Sequence, residues 1–240
     1  MIELEEHVGV SVLRLNHPPV NALGLPQIEA LTKTLNEIPK QKPCVITGST
    51  GVFSAGVDTK AFQAYTTAER AELVFSINEL VATLFNHQGP LVAAINGHAL
   101  GGGFVMALCA DFRIAAHDIE IQLGLTEAKA GIPFPAGPLE VIRNELDPNL
   151  KRQLTLTSST LSVDAAFSQG VIDELVQVTD VVHESLNKAQ ILSEQAAFSE
   201  VKQQLRFGLA QRLASIVETR TDPLASRFLR GSIPHLPNDG

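Results

Sequence analysis

Three consecutive glycines, Gly101–Gly103, stand between the apolar run PLVAAI and the apolar segment FVMALCA. We expect a helix to begin there, although each glycine in a helix interior costs roughly 1 kcal/mol relative to alanine. A buried helix that begins with glycine presents unpaired backbone N–H groups at the positive end of its dipole. Such groups could stabilise negative charge developing on a carbonyl oxygen. Close packing of the helix against a strand would require the same glycines, so both interpretations stand.

The spacing of these glycines argues against a phosphate-binding loop. Dinucleotide-binding loops have the pattern G-x-G-x-x-G, and nucleotide-binding P-loops have G-x-x-x-x-G-K-[ST]. The segment GHALGGGF instead reads G-x-x-x-G-G-G and continues with Phe104. It offers neither the lysine nor the hydroxyl that a nucleotide phosphate needs at that point.

A second loop of small residues, TGSTGVFSAGVDTKAF (47–62), also follows a strand-like run and precedes a predicted helix. Together the two segments resemble the crotonase (enoyl-CoA hydratase/isomerase) superfamily, whose members carry F-[SA]-A-G-x-D and, further along the chain, N-G-x-A-x-G-G-G. The resemblance depends on FSAGVD (53–58), NGHALGGG (96–103), HPPVNAL (17–23), CADFRIA (109–115), LTEAKAGIP (125–133) and AAFSQGVIDELV (165–176). Two departures are His17 for the usual arginine and Thr126 for the usual proline.

The resemblance implies an acyl-CoA thioester as substrate and an oxyanion held by two backbone N–H groups. The donors would be Val57 and Gly102. The remaining positions implied to contact the substrate are Val20, Ala55, Gly56, Asp58, Lys60, Gly103 and Val105. Two of these have ordinary structural alternatives, because Asp58 could cap the following helix and Lys60 could be an exposed lysine.

The acid–base residues distinguish the activities within the family. Hydratases of this type use two glutamates, one just after the triple glycine and one in the P-E-x-x-x-G block. Here the first position is Val105 and the second is Glu127. A single carboxylate whose pKa is raised by burial suits the transfer of one proton from C2 to C4 of an acyl chain. The pattern therefore favours a Δ3,Δ2-enoyl-CoA isomerase; the alternatives are a hydratase, another crotonase-type activity, or a catalytically silent acyl-CoA-binding homologue.

Glu127 also has a structural alternative. In LTEAKAG, Thr126 could cap a short helix, and Glu127 could be a favourable acid in its first turn. The resemblance is what favours the catalytic interpretation over this one.

The elements that must position these residues alternate between strands and helices along residues 1–125. Strand-like runs occur at 8–15, 43–48 and 90–95, and amphipathic helices are predicted from Leu25 and over 67–86. This alternation predicts an α/β protein with a largely parallel sheet. The resemblance implies a crotonase-like spiral of ββα units, with a core over 1–178 and a C-terminal helical region over 179–240 of the same functional domain. It also implies a homotrimer or a dimer of trimers.

Composition limits the partners. Hydrophobic residues make up 45% of the 240 residues, and the net charge is −8. No basic stripe is present, which argues against nucleic acid or a membrane surface as a partner. Cys44 and Cys109 lie in apolar runs without metal-ligand spacing, so we expect free thiols, no metal and a cytoplasmic protein. No cofactor is expected beyond the coenzyme A that forms part of the substrate.

Overall fold

The computed structural model describes residues 1–49 and 51–222. The strands are β1 (Ile2–His7), β2 (Val10–Leu15), β3 (Cys44–Gly48), β4 (Gly51–Ser54), β5 (Leu91–Ile95), β6 (Gly97–Leu100), β7 (Phe112–Ala116), β8 (Gln122–Gly124), β9 (Thr160–Ser162) and β10 (Glu174–Val176). The helices are α1 (Leu25–Glu37), α2 (Thr59–Ala64), α3 (Thr67–Phe85), α4 (Gly102–Leu108), α5 (Glu127–Ala130), α6 (Ala136–Glu145), α7 (Pro148–Thr157), α8 (Val163–Ser168), α9 (Val181–Ser193) and α10 (Phe198–Thr219).

These strands form two sheets. The larger has the order β1-β2-β3-β5-β7-β10 and is parallel apart from the antiparallel pair of β1 and β2. The smaller has the order β4-β6-β8-β9, with β9 antiparallel to β8. The chain passes from the larger to the smaller sheet and then into a helix at β3–β4–α2, β5–β6–α4 and β7–β8–α5. The predicted α/β class and the repeated ββα units are confirmed.

Most predicted elements lie within one or two residues of their observed bounds, and two predictions need correction. The strand expected over 8–15 begins at Val10, because Val8 and Gly9 form a turn with positive φ. The run IEIQLGL (119–125) predicts a strand from Ile119, but the strand begins at Gln122, since Asp118 turns the chain by accepting the N–H groups of Glu120 and Ile121. The residues GHAL before the triple glycine form β6, a strand too short for periodicity to reveal.

Helix α4 is buried on every side, as its apolar sequence predicts. Each side chain from Phe104 to Leu108 is at most 1% exposed, and all belong to the main core cluster. A helix without a polar face has to be surrounded by protein, so its N-terminal end points into the molecule rather than into solvent. This burial places the glycine segment deep in the fold.

The C-terminal helices pack onto the rest of the chain. Val181 and Ala189 of α9 lie in a second apolar cluster with residues of the larger sheet, namely Val10, Val12, Val45, Val92, Ala94 and Ile114. Helix α10 packs against α3 and α6. Its Lys202 donates to Asp111 at 2.6 Å and to the carbonyl oxygen of Gly89 at 2.8 Å. The domain boundary after residue 178 stays a prediction, and the C-terminal end (223–240) lies outside the described residues.

A search of residues 1–49 and 51–222 for bilayer-crossing segments found no helix with both the length and the apolar character that a span requires. The same residues contain no group of three or more His, Cys, Asp or Glu side chains arranged to hold a metal ion.

Candidate active site

The turn from β6 into α4 depends on a glycine. Gly101 has φ 53° and ψ −126°, which a side chain would make strained, and it occupies the N-cap of α4. A glycine at the N-cap supplies no side-chain capping bond to the helix. A Cβ at Gly101 would also lie 3.2 Å from Oε1 of Glu127, so the absent side chain leaves room for that carboxyl group.

The next two glycines differ in the space around them. A Cβ on Gly103 would lie 2.4 Å from the carbonyl oxygen of Ser54, which a backbone atom cannot accommodate. A Cβ on Gly102 would meet only ordinary contacts, 3.7 Å from Leu23 and 3.9 Å from Val57. Close packing therefore explains Gly103, whereas Gly102 has no packing reason to be a glycine.

This difference gives a prediction for stability. Gly103→Ala should lower the free energy of unfolding by about 2 kcal/mol or more, because the added methyl group meets backbone that has to move. Gly102→Ala is the matched control and should cost less than about 1 kcal/mol, since its methyl group fits and alanine favours a helix. Urea denaturation of both variants measures this, and equal losses would contradict the packing argument.

The loop after β4 approaches the glycine segment from the other side. Gly56 has φ 81°, and a Cβ there would lie 2.7 Å from the carbonyl oxygen of Leu100 and 2.8 Å from the nitrogen of Gly102. Only a glycine allows the two backbones to come this close. The two loops expected to carry the oxyanion donors are thus in direct contact.

The same loop pairs with residues 20–23. Ala55 donates to Val20 at 2.9 Å, Leu23 donates to the carbonyl oxygen of Gly56 at 2.8 Å, and Asp58 donates to Leu23 at 3.1 Å. In this parallel bridge between Leu23 and Val57, Leu23 bonds to the two neighbours of Val57 rather than to Val57 itself. The N–H of Val57 is consequently directed away from Leu23.

Two backbone N–H groups remain unpaired at this junction. Within residues 1–49 and 51–222, neither Val57 nor Gly102 donates its N–H to an acceptor. Both residues are half-buried and line one cavity. A pair of unpaired N–H groups beside a helix N-terminus can bind the oxygen of a polarised carbonyl.

The cavity has about 550 Å³ of empty space, including the part open to solvent. Its walls are mostly apolar. Among the described residues it is lined by Ala55, Val57, Thr59, Ile77, Gly101, Gly102, Val105, Thr126, Glu127, Ala130, Ile132, Pro133, Phe134, Pro135 and Pro138. Five of the expected site residues are among them: Ala55, Val57, Gly102, Val105 and Glu127.

Glu127 is the one ionisable group among the described residues that line the cavity. Burial raises the pKa of its carboxyl group to about 7, against a smaller lowering effect of its own backbone N–H. Within the described residues, its buried Oε2 has no hydrogen-bond partner. The side chain of Thr126 does not cap α5, so the capping half of the structural alternative for this segment is not observed.

Val105 lies one turn into α4, where its N–H bonds to the carbonyl oxygen of Gly101 at 3.0 Å. It is 1% exposed and contributes a purely apolar surface to the cavity that contains Glu127. The cavity thus has one carboxyl group where two would be needed to hold a water molecule between them.

Five expected contact residues do not line this cavity. The side chain of Asp58 caps α2 by accepting the N–H groups of Lys60 and Ala61 at 3.0 and 2.9 Å, which is its structural alternative. The side chain of Lys60 is exposed, and Val20 is 40% exposed. The other two, Gly56 and Gly103, serve the close backbone contacts described above.

Sequence reasoning missed most of the apolar wall. The segment from Ile132 to Pro138 supplies five lining residues, none of them among the expected site residues. Ile77 of α3 lines the cavity as well. The proline-rich string IPFPAGP was the available signal, because three prolines in seven residues restrict the backbone of this segment up to the first turn of α6.

Comparison with known proteins gives consistent matches. The family model described as Enoyl-CoA hydratase/isomerase matches residues 5–231. The mitochondrial enoyl-CoA delta isomerase 1 of Mus musculus is 32% identical over 76% of this chain, which spans 64% of that protein's length. The crotonyl-CoA hydratase of Syntrophomonas wolfei is 31% identical over 76% of this chain and 72% of its own. The crystal structure of human mitochondrial Δ3-Δ2-enoyl-CoA isomerase superposes with a TM-score of 0.85 at 26% identity, covering 95% of this chain and 90% of that one.

Proposed function

Because the chain belongs to the enoyl-CoA hydratase/isomerase (crotonase) family, we propose that it is an acyl-CoA-thioester enzyme that converts 3-enoyl-CoA to 2-enoyl-CoA. Glu127 is the proposed base, and the N–H groups of Val57 and Gly102 form the proposed oxyanion hole. The arrangement of unpaired donors beside a single buried carboxyl group supports this assignment.

The proposed reaction moves one proton. The thioester oxygen accepts hydrogen bonds from Val57 and Gly102, which lowers the energy of the enolate that forms when C2 loses a proton. The carboxylate of Glu127 removes that proton, and the electrons of the C2–H bond become the C1–C2 double bond of the enolate. The same carboxyl group then returns the proton to C4. The electrons of the C3–C4 double bond form the new C4–H bond, those of the C1–C2 double bond become the C2–C3 double bond, and the carbonyl group re-forms. Glu127 is regenerated, and no water is consumed.

The observation that carries the choice of isomerase is the pairing of Glu127 with Val105 in one cavity. Hydration would require a water molecule held and activated by two polar groups. Val105 can neither donate nor accept a hydrogen bond, and its side chain occupies space that such a water would need. The hydratase remains the alternative that the similarity to the Syntrophomonas wolfei protein favours.

Steady-state assays of the purified chain separate these activities. Conversion of 3-enoyl-CoA to the conjugated 2-enoyl-CoA without formation of 3-hydroxyacyl-CoA is the expected result. Rapid formation of 3-hydroxyacyl-CoA from 2-enoyl-CoA would identify a hydratase. Binding of acyl-CoA without turnover of either substrate would identify a silent homologue.

The pKa of Glu127 predicts how the rate depends on pH. The carboxylate is the active form of a base, and burial raises its pKa to about 7. The value of kcat/KM should therefore rise about tenfold per pH unit below about 7 and level off above it. A pH–rate profile between pH 5 and 9 measures the inflection, which is expected at about pH 7. A profile that stays nearly flat down to pH 5, as a carboxyl group with the ordinary glutamate pKa of 4.5 would give, would show that the catalytic group is not this buried one.

The coenzyme A part of the substrate is proposed to contact Asp58, Lys60 and Val20 outside the cavity. The exposure of Val20 and Lys60 and the half-buried position of Asp58 at the end of the loop over 53–58 support this placement. Isothermal titration of Lys60→Ala with coenzyme A tests the lysine, and unchanged affinity would remove it from the site.

We also propose assembly as a homotrimer or a dimer of trimers. Helix α10 exposes three large apolar side chains, Val201, Leu205 and Phe207, which are 57%, 84% and 61% exposed in the single chain. Apolar residues grouped this way suit contact with another copy. Sedimentation equilibrium distinguishes the two assemblies from a monomer, which would contradict the proposal.

A reducing, cytoplasmic compartment is proposed from the cysteines. Cys44 and Cys109 are free and buried, and burial raises the pKa of each thiol to about 12. Such thiols have little tendency to form disulfides. Cell fractionation tests this compartment.

A further inference from the structure

The hydroxyl group of Ser54 connects two segments beside the proposed oxyanion hole. It donates a hydrogen bond to the carbonyl oxygen of Asn21 at 2.8 Å and accepts one from the N–H of Gly56 at 3.1 Å. The residue is fully buried, with no exposed surface. Both hydrogen-bonding functions of the hydroxyl are therefore used inside the protein, one on each of the two paired loops.

The acceptor on Asn21 is itself held in place. Asn21 has φ 50°, is 1% exposed, and donates from its side chain to the carbonyl oxygens of Val52 and Phe53 at 3.0 and 3.2 Å. Its Oδ1 accepts the backbone N–H of His17 at 2.8 Å. A side chain with this many partners fixes its own backbone, so Ser54 bonds to a rigid group.

The backbone of Ser54 also contacts the second loop. Gly103 packs so closely on Ser54 that a Cβ would lie 2.4 Å from the serine carbonyl oxygen and 2.8 Å from its Cβ. Ser54 thus contacts both donor-bearing segments, Gly56 through its hydroxyl group and Gly103 through its main chain.

The peptide unit that carries the N–H of Val57 turns about the torsions of Gly56. Glycine at φ 81° has wide conformational freedom, so this unit needs external restraints. Its carbonyl group, that of Gly56, is held by the N–H of Leu23 at 2.8 Å. The other side of Gly56 is held by Ser54 through the Gly56 N–H.

We propose that Ser54, at a position where the family pattern has serine or alanine, is a positioning residue of the oxyanion hole in this chain: its hydroxyl group fixes Gly56 and thereby the direction of the Val57 N–H. The inference rests on the proposed function of Val57 as a donor. Preorganisation of a donor matters most where charge develops, so loss of the restraint should weaken transition-state binding more than substrate binding.

Ser54→Ala should lower kcat about tenfold while KM changes by less than about threefold. Full loss of one oxyanion donor costs on the order of 10²–10³ in rate, and a donor that is present but poorly directed should cost less. Ser54→Cys keeps a side chain of similar shape with a weaker hydrogen-bonding group, so its kcat should lie between those of wild type and Ser54→Ala. It carries the test if Ser54→Ala does not fold.

Ser185→Ala is the matched control. Ser185 has no exposed surface, and its hydroxyl group donates to the carbonyl oxygen of Val181 at 2.7 Å within α9, outside the described lining of the cavity. This variant should lose stability in urea and keep the wild-type kcat. If the loss of any buried hydroxyl group lowered kcat, both Ser54→Ala and Ser185→Ala would show a lower kcat.

The decisive measurement is the vibrational frequency of the thioester carbonyl of bound butyryl-CoA, followed by Raman difference spectroscopy. A saturated thioester does not isomerise, so the measurement does not depend on turnover. Wild type and Ser185→Ala should shift the band to lower frequency on binding, and Ser54→Ala should shift it less. An unchanged band and unchanged kcat in folded Ser54→Ala or Ser54→Cys would overturn the positioning role. Wild-type protein that polarises the carbonyl but turns over no enoyl-CoA would instead overturn the proposed isomerase alone, whereas wild type without any shift would overturn both.

Discussion

Replacing Glu127 with glutamine should lower kcat for isomerisation of 3-enoyl-CoA by about 10³-fold or more. Glutamine has nearly the same shape but cannot take a proton, and a positioned general base contributes on the order of 10²–10⁴ in rate. No other ionisable side chain among the described lining residues could replace it, because the remaining lining residues are apolar, glycine or threonine. Stopped-flow or steady-state kinetics on the purified variant measures the loss.

Glu120→Gln is the matched control for this experiment. Glu120 is exposed, lies seven residues earlier in the chain and does not line the cavity, so its replacement should leave kcat unchanged. Binding of a saturated acyl-CoA should be retained by both variants, since the proposed oxyanion donors are backbone groups. Retention of more than a tenth of the wild-type kcat by Glu127→Gln would show that another group is the base.

The same substitution has a consequence for stability. Folding raises the pKa of Glu127 from 4.5 to about 7, so the folded state binds more protons than the unfolded state between these values. Stability contributed by this group is therefore fully present below pH 4.5 and is lost as the pH rises to about 7. The loss amounts to at most about 3 kcal/mol, at about 1.4 kcal/mol per pKa unit. Glu127→Gln should exceed wild type in stability at pH 8 by more than at pH 5, as urea denaturation at both values would show.

The fold could be predicted well where periodicity extends over many residues. Helix α3 presents Leu73, Ile77 and Leu84 on the expected buried face, and the apolar runs at 43–48 and 90–95 form central strands. Strands of three or four residues, such as β6 and β8, have too few positions for a pattern to appear. Their conformation depends on pairing with each other, which is a long-range property of the chain.

The candidate site could be predicted only in part. Motif spacing pointed to Val57, Gly102, Val105 and Glu127, and these residues line one cavity. The apolar wall from Ile132 to Pro138 follows Glu127 in the chain but carries no spacing that relates it to the loop over 53–58. Its contribution depends on how α6 packs against α3, which no local pattern encodes.

The two interpretations of the triple glycine also could not be separated from sequence. Both close packing and an oxyanion site require small residues, and residue type alone does not distinguish the three glycine positions. They differ because Gly103 packs on Ser54, a residue 49 positions away, while a Cβ on Gly102 would meet its neighbours only at ordinary van der Waals distance. Packing and the proposed oxyanion site thus occupy adjacent residues. Helix α4 accommodates both because successive residues are rotated by about 100° around the helix axis.

Replacing Gly102 with proline should lower kcat by about 10²–10³-fold, because it removes the N–H of one proposed oxyanion donor. Gly102 is the first residue of α4, where proline is well tolerated since that N–H has no partner within the helix. The neighbouring space also accepts a Cβ, with its nearest atoms at 3.7 to 3.9 Å. The substitution can therefore delete a donor without breaking the helix, and circular dichroism should show a wild-type spectrum.

Gly102→Ala is the control for the added Cβ, whereas the Cδ of proline takes the place of the lost amide hydrogen. It places a Cβ at the same position but keeps the donor, so its kcat should stay within about tenfold of wild type. Comparable losses in both variants would assign the effect to crowding at Leu23 and Val57 rather than to the donor. A proline variant that folds and keeps the wild-type kcat would remove Gly102 from the oxyanion hole.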